Sequence, residues 1–146
     1  MKAWWHDLPS EVYAFGWKDK NSDLADKQNG LLQRINILNE TGYKVYLLGI
    51  SAGGSAVLNA FLTKRLMINR AINVCGRLRE GNNVYPTLKK AAQSSKIFSE
   101  SVKNCEKGLN SLTADDRKKI LTIRPIYDEI VPVSTVAVKG AKNISP

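Results

Sequence analysis

Apolar positions along this chain alternate between helical and extended patterns. From Asp23 to Thr41, Leu24, Leu31, Ile35 and Leu38 recur at helical spacing on one face, with Lys27, Gln28, Arg34 and Glu40 elsewhere. That spacing predicts an amphipathic helix, which Asn21 or Ser22 is placed to cap and Gly42 to end in the left-handed conformation. Ahead of it, the aromatic and β-branched run Val12-Tyr13-Ala14-Phe15-Gly16-Trp17 reads as a strand feeding the polar loop Lys18 to Ser22. Behind it, Tyr43 to Ile50 is apolar throughout except for Lys44, the pattern of a strand buried on both faces of a parallel sheet.

The alternation continues downstream. Ala52 to Lys64 carries Ala56, Val57, Ala60 and Phe61 as a helical packing stripe, and Arg70 to Cys75 and Lys119 to Arg124 read as two further strands. Between those strands, the mixed stretch from Asn82 to Gly108 contains a helix around Ser95 to Lys107, with Ile97, Val102 and Cys105 facing inward. Its position suits a small cap insertion over residues 82–112. Ser111 or Thr113 is placed to cap a short helical turn through Asp115 and Asp116, whose charges favour a helix amino end. Strands separated by helices predict right-handed β-α-β units in one domain over residues 1–146. The fold class is α/β, a three-layer α/β/α sandwich on a mainly parallel sheet, and no internal repeat or low-complexity linker divides it.

One junction carries chemistry. Gly49-Ile50-Ser51-Ala52-Gly53 falls where the most apolar strand meets the next helix, which is the context a G-x-S-x-G turn requires. A sharp turn there holds the serine in a strained conformation with Oγ above the sheet, and the flanking glycines let strand and helix approach closely. The Ala52 N–H, at the helix amino end, would then point toward an oxyanion formed on a substrate carbonyl. A second donor normally comes from a loop after an earlier strand, and Gly16-Trp17 is the segment that fits, unless that loop precedes the chain. G-x-S-x-G also arises by chance, and the strand-turn-helix context is what sets this copy apart. A phosphate-binding use of the same helix end is disfavoured, because neither G-x-G-x-x-G nor G-x-x-x-x-G-K-[ST] is present.

The stretch Lys44-Val45-Tyr46-Leu47-Leu48-Gly49-Ile50-Ser51-Ala52-Gly53-Gly54-Ser55 resembles the nucleophile strand and elbow of the α/β-hydrolase superfamily, particularly its esterase and lipase-like members. Ile120 to Pro125, followed by Tyr127-Asp128-Glu129-Ile130-Val131-Pro132, resembles that superfamily's acid strand and loop, where D-x-x-V-P sets the acid before a helix. The resemblance implies Ser51 as nucleophile and Asp128 as triad acid, in the order serine then acid, with Glu129 the less apt substitute. A helix cap or loop carboxylate is the other reading of Asp128. The resemblance also implies a histidine after the acid, yet the single histidine, His6, lies 45 positions before Ser51 and reads as a surface residue. The expectation is a hydrolase domain cut before its catalytic histidine, with several earlier strands also missing.

Two functions follow from this. One is a serine hydrolase acting on small acyl or ester substrates through an acyl-enzyme, and the other is a non-catalytic hydrolase-like protein whose pocket above Ser51 binds a ligand or partner. The chain is 43% hydrophobic and 24% charged, near globular averages, with no apolar run approaching the roughly 20 residues that cross a bilayer and no secretory leader at Met1 to Asp7. A cytoplasmic location is the resulting expectation. Cys75 and Cys105 are too few and too far apart for a metal knuckle or disulfide framework and read as reduced structural thiols. No metal or organic cofactor is expected. The net charge of +9 raises nucleic acid as a partner, but Lys64-Arg65, Lys89-Lys90 and Arg117-Lys118-Lys119 are scattered and no stacking aromatics interleave with them, so a solvated cationic surface is the reading. Oligomeric state is silent in the sequence.

Overall fold

A computed structural model of the chain describes residues 9–19, 22–81, 83–93 and 95–145. Helix α1 spans Leu24–Glu40, strand β1 Val45–Ile50, helix α2 Gly53–Thr63 and strand β2 Ile68–Val74. Short helix α3 (Leu88–Ala91), helix α4 (Lys96–Leu109) and the turn α5 (Ala114–Lys118) precede strand β3 (Ile120–Ile123). A 3-10 turn at Val133–Thr135 and strand β4 (Lys142–Ile144) follow. The strands form one sheet in the order β1-β2-β3-β4, with every neighbouring pair parallel. The expected α/β class with a parallel sheet is what the chain forms.

Helix signals in the sequence act locally as anticipated, with one shift. Asp23 caps α1, its carboxylate accepting from the Asp26 N–H at 2.9 Å, so neither expected cap is the one used; Asn21 lies outside the described residues. Asp23 wins because it directly precedes the first helical residue in extended backbone and adds a negative charge to the helix amino end. Gly42 has φ 85°, the left-handed stop. Ser95 caps α4, and Thr113 and Asp116 close a reciprocal capping box on α5.

Helices α1, α2 and α4 pack as one layer on one face of the sheet. Leu58, Ala60 and Phe61 of α2 are fully buried against Ile35 of α1, Cys105 of α4 and Ile68, Ala71 and Ile120 of the strands. Among the described residues, no helix covers the opposite face. On β1, Val45 and Gly49 are buried, but Tyr46, Leu48 and Ile50 are 59%, 50% and 50% exposed, so burial on both faces, expected from the apolar run, is not met among the described residues.

Two strand readings are corrected. Residues 12–17 form no strand: the segment crosses α1, where Glu11 clamps Arg34 through two bonds of 2.8 and 2.7 Å, the Tyr13 hydroxyl crowds Gly30, and Phe15 packs on the core. Its aromatics fit a helix surface, and apparent strand preference mostly measures how side chains fit their neighbours. β4 has no sequence signal because it is three exposed residues long; its partner is β3, and Asn143 secures its approach through bonds to Val138 and Ala141. No helix among the described residues is long and apolar enough to cross a membrane.

Glycines set how closely α2 sits on the sheet. A Cβ on Gly49 would collide with the Gly53 carbonyl, and one on Gly54 with the Asn73 side chain, whereas one on Gly53 would meet nothing within 4 Å. Gly54→Ala is therefore expected to lower stability by about 3 kcal/mol through overpacking. Gly53→Ala is expected to be neutral or stabilising by up to about 1 kcal/mol. Urea denaturation of both variants measures the contrast.

Candidate active site

The strand-turn-helix junction places Ser51 at the carboxyl edge of the sheet. Its N–H continues the parallel ladder by donating to the Val74 carbonyl at 2.9 Å, and its own carbonyl accepts from Gly54 N–H at 3.0 Å. Between those bonds the backbone has φ 53°, a left-handed conformation that costs a non-glycine residue roughly 1–2 kcal/mol. The turn leaves Ser51 exposed, and among the described residues its Oγ has no hydrogen-bond partner. Ala52 follows as the N-cap position of α2, at the end of the helix whose first N–H groups lack intrahelical acceptors.

Asn73, which no sequence motif marks, ties this edge together. Fully buried, it accepts from Gly76 N–H at 3.1 Å and donates to the carbonyls of Gly76 at 3.0 Å and Val136 at 3.3 Å. It therefore links the end of β2 to the segment after β3 while touching the first turn of α2 at Gly54. An asparagine set between the apolar Ile72 and Val74, at the end of a strand, is the signal that could have found it.

Asp128 lies in the loop that leaves β3 at the same edge, with β2 between it and the elbow. One carboxylate oxygen accepts from the N–H groups of Ile130 and Val131, at 2.8 and 2.9 Å, so the loop-carboxylate reading of this residue is realised. That leaves the second oxygen for another partner. Cys75 stands between the two, at the end of β2, with φ 55° and its N–H donating to the Ile123 carbonyl at 2.8 Å. Partial burial raises its thiol pKa, and the nearby Asp128 carboxylate raises it further. Deep burial pushes Cys105, inside α4, up to about 12.

Trp17 belongs to a turn rather than to a loop after a strand. Its carbonyl accepts from the Ser95 hydroxyl at 2.7 Å, and its ring meets Phe98 edge-on at 5.7 Å. Helix α4 runs alongside α2, joined through the buried Ser55–Ser101 hydroxyl pair at 2.9 Å and the Gly108–Leu62 contact, both at a sequence offset of 46. No hydrogen bond joins Trp17 to the elbow among the described residues.

The surroundings are open. A cleft of about 400 Å³ lies between the segments that join β2 to β3, lined by Glu80, Leu88 and Lys103 among others, and one of about 290 Å³ lies between those segments and the turn after β3, lined by Arg79, Glu106 and Thr135 among others. Neither is lined by Ser51 or Asp128. Buried Arg77 holds this region, its guanidinium donating to the carbonyls of Arg79, Glu80 and Pro86. No three His, Cys, Asp or Glu side chains among the described residues group to hold a metal ion. His6 lies outside the described residues.

A parallel β-α-β sheet with a left-handed serine turning into a helix, and a carboxylate loop two strands along, invites comparison with solved structures. The chain matches a metagenome-derived lipolytic enzyme with a TM-score of 0.62 at 14% identity, over 85% of this chain and 62% of that one. It also matches the monoacylglycerol lipase of Paleococcus ferrophilus, with a TM-score of 0.52 at 14% identity, over 88% of this chain and 66% of that one. The chain has the α/β-hydrolase fold. An α/β-hydrolase enzyme from a Medee basin deep-sea metagenome matches as well, with a TM-score of 0.56 at 15% identity, over 88% of this chain and 65% of that one. The chain thus spans a little under two thirds of the length of these α/β-hydrolase structures. No protein family and no curated protein matches its sequence.

The Cys75 surroundings give a direct test of where Asp128 stands. A carboxylate beside a thiol disfavours the thiolate, so Asp128→Asn should lower the Cys75 pKa and raise its alkylation rate at pH 8 severalfold. Cys105 should stay unreactive until the protein unfolds. Iodoacetamide labelling followed by mass spectrometry reads both sites.

Proposed function

We propose that this chain carries a serine acyl-hydrolase site for small ester substrates, with Ser51 as nucleophile, Asp128 as the acid that orients a base, and the Ala52 N–H as an oxyanion donor. The observation that carries the reading is the left-handed Ser51 at a strand-to-helix turn, exposed and with no hydrogen-bond partner for its Oγ among the described residues. Supporting it, Asp128 leaves the sheet two strands away, a separation of about 10 Å between strand axes. An imidazole placed there would reach both groups. Trp17 is the proposed second oxyanion donor, and residues 82–112, with α3 and the amino end of α4, the proposed cap beside the substrate. Lipolytic neighbours of the same fold favour an ester over other acyl substrates.

Chemically, attack by Oγ on the ester carbonyl would give a tetrahedral oxyanion facing the start of α2, then an acyl-serine and a released alcohol, with water completing the cycle. A hydroxyl attacks poorly unless a base takes its proton, and no histidine stands among the described residues. This second fact favours a non-catalytic ligand-binding role as the alternative.

One experiment separates the two. A fluorophosphonate probe is expected to label the chain slowly, with labelling abolished in Ser51→Ala and accelerated by added imidazole, which supplies the missing proton acceptor. Hydrolysis of p-nitrophenyl acetate should follow the same pattern, with turnover some 10³-fold or more below a complete triad. Equal labelling of Ser51→Ala would remove Ser51 from the chemistry, and no labelling with or without imidazole would favour the binder.

A further inference from the structure

One buried amide reaches toward both halves of the proposed site. Asn73 lies in register with Gly49 of β1 on one side and Thr122 of β3 on the other, on the face of the sheet that α2 covers. Ala71 and Ile120, which share that face, are fully buried and apolar. An apolar side chain at position 73 would need no partners there, whereas a buried amide is costly unless its bonds are made. All of its polar groups are used: Oδ1 accepts from Gly76 N–H, and Nδ2 donates to the carbonyls of Gly76 and Val136. A carboxamide offers that acceptor and two donors at one point.

On the elbow side the amide is at the limit of contact. A Cβ on Gly54 would collide with Asn73 Oδ1, and one on Gly76 would collide with the same oxygen and with the Ser51 carbonyl. On the acid side, the Val136 carbonyl closes a run of local bonds that begins at Asp128. The Asp128 carboxylate accepts from Val131 N–H at 2.9 Å, the Pro132 carbonyl from Thr135 N–H at 2.8 Å, and the Val133 carbonyl from Val136 N–H at 3.3 Å. Val131, Thr135 and Val136 are buried, and Leu78 N–H donates to the Thr135 carbonyl at 3.0 Å. The stretch from Asp128 to Val136 is therefore one folded unit, and its inner end rests on Asn73.

We propose that Asn73 is a positioning residue that fixes the acid loop against the nucleophile elbow, so that Asp128 and Ser51 keep one spacing. This rests on the serine and acid roles proposed above. No hydrogen bond joins Asn73 to either side chain among the described residues, so it acts through Gly54 and Gly76 on one side and Val136 on the other. A base between Ser51 and Asp128 must meet both, and a misplacement on the order of 1 Å costs about 10²-fold in rate. A buried polar group with its bonds made specifies one arrangement of the groups around it.

Two variants test it: Asn73→Ser, and the nearly isosteric Asn73→Asp, which keeps the oxygen that accepts from Gly76 but cannot donate to both carbonyls. Circular dichroism sets a temperature at which each is folded. Asp128→Asn is then introduced into the parent and into each variant, and iodoacetamide alkylation of Cys75 reads whether Asp128 still stands beside it. The expected effect of Asp128→Asn is a severalfold rise in rate in the parent and less than about twofold in either variant, a coupling that the double-mutant cycle isolates. At the serine, the acceleration of fluorophosphonate labelling by imidazole should fall about tenfold or more in the variants, while unassisted labelling changes little. An Asp128→Asn effect of equal size in parent and variants overturns the proposal, as does no effect in the parent. Equal loss of assisted and unassisted labelling would mean that Asn73 only supports the fold, and overturns it too. A parent that is not labelled at all removes the serine reading instead, and the Cys75 comparison then decides the positioning alone.

Discussion

Everything at the carboxyl edge depends on how closely α2 approaches the sheet. The Gly49 Cα faces the Gly53 carbonyl, Gly54 faces the Asn73 amide, and Gly76 faces both Asn73 and the Ser51 carbonyl. A side chain at any of these three would push the helix away and open the turn that forces Ser51 to φ 53°. The strain of that backbone is borne by the surrounding contacts: the ladder bond to Val74, the Asn73 bonds to Gly76 and Val136, and the fully buried Leu58, Ala60 and Phe61 behind them. Backbone strain, buried amide and close glycines form one unit. It explains how the strained backbone is held even though its serine is exposed.

The legible parts of the sequence were those governed by local rules. Helical periodicity gave α1, α2 and α4 within about two residues of their observed ends, because each carries a long apolar stripe and local end signals. β1, β2 and β3 were readable as apolar runs between those helices. What escaped were features decided by tertiary contact. Residues 12–17 have strand-like composition but no strand to pair with, and their aromatics are used on α1 and α4 instead. β4 is short and polar, and exists because Asn143 holds its approach and β3 offers an edge. Whether an apolar strand is covered on one face or two cannot be read from the strand itself, since it depends on helices elsewhere.

The candidate site was legible in a different way. Ser51 was visible from the motif because the chemistry of a tight turn demands small residues at fixed spacing. Asp128 was visible from the resemblance of its loop. Asn73 and Cys75 were not, because their relation to the site arises only when β2 is placed between β1 and β3. Cys75 shares with Ser51 a left-handed backbone at the end of a neighbouring strand, so two of the three non-glycine residues with positive φ among those described stand side by side at this edge. Strain of this kind concentrates where function does.

The charge of the chain is resolved by the same geometry. A net +9 spread along a sequence says little, but the fold sorts the charges. Some are consumed in structure, such as Arg77 on three carbonyls, Arg34 on Glu11, Lys27 on Asp19 and Arg65 on Asp116. Others, Lys44 and Arg70, have no side-chain partner among the described residues and stand at the amino ends of the strands beside exposed apolar side chains. Unpaired cations usually sit in water at little cost, whereas grouped exposed apolar side chains are costly.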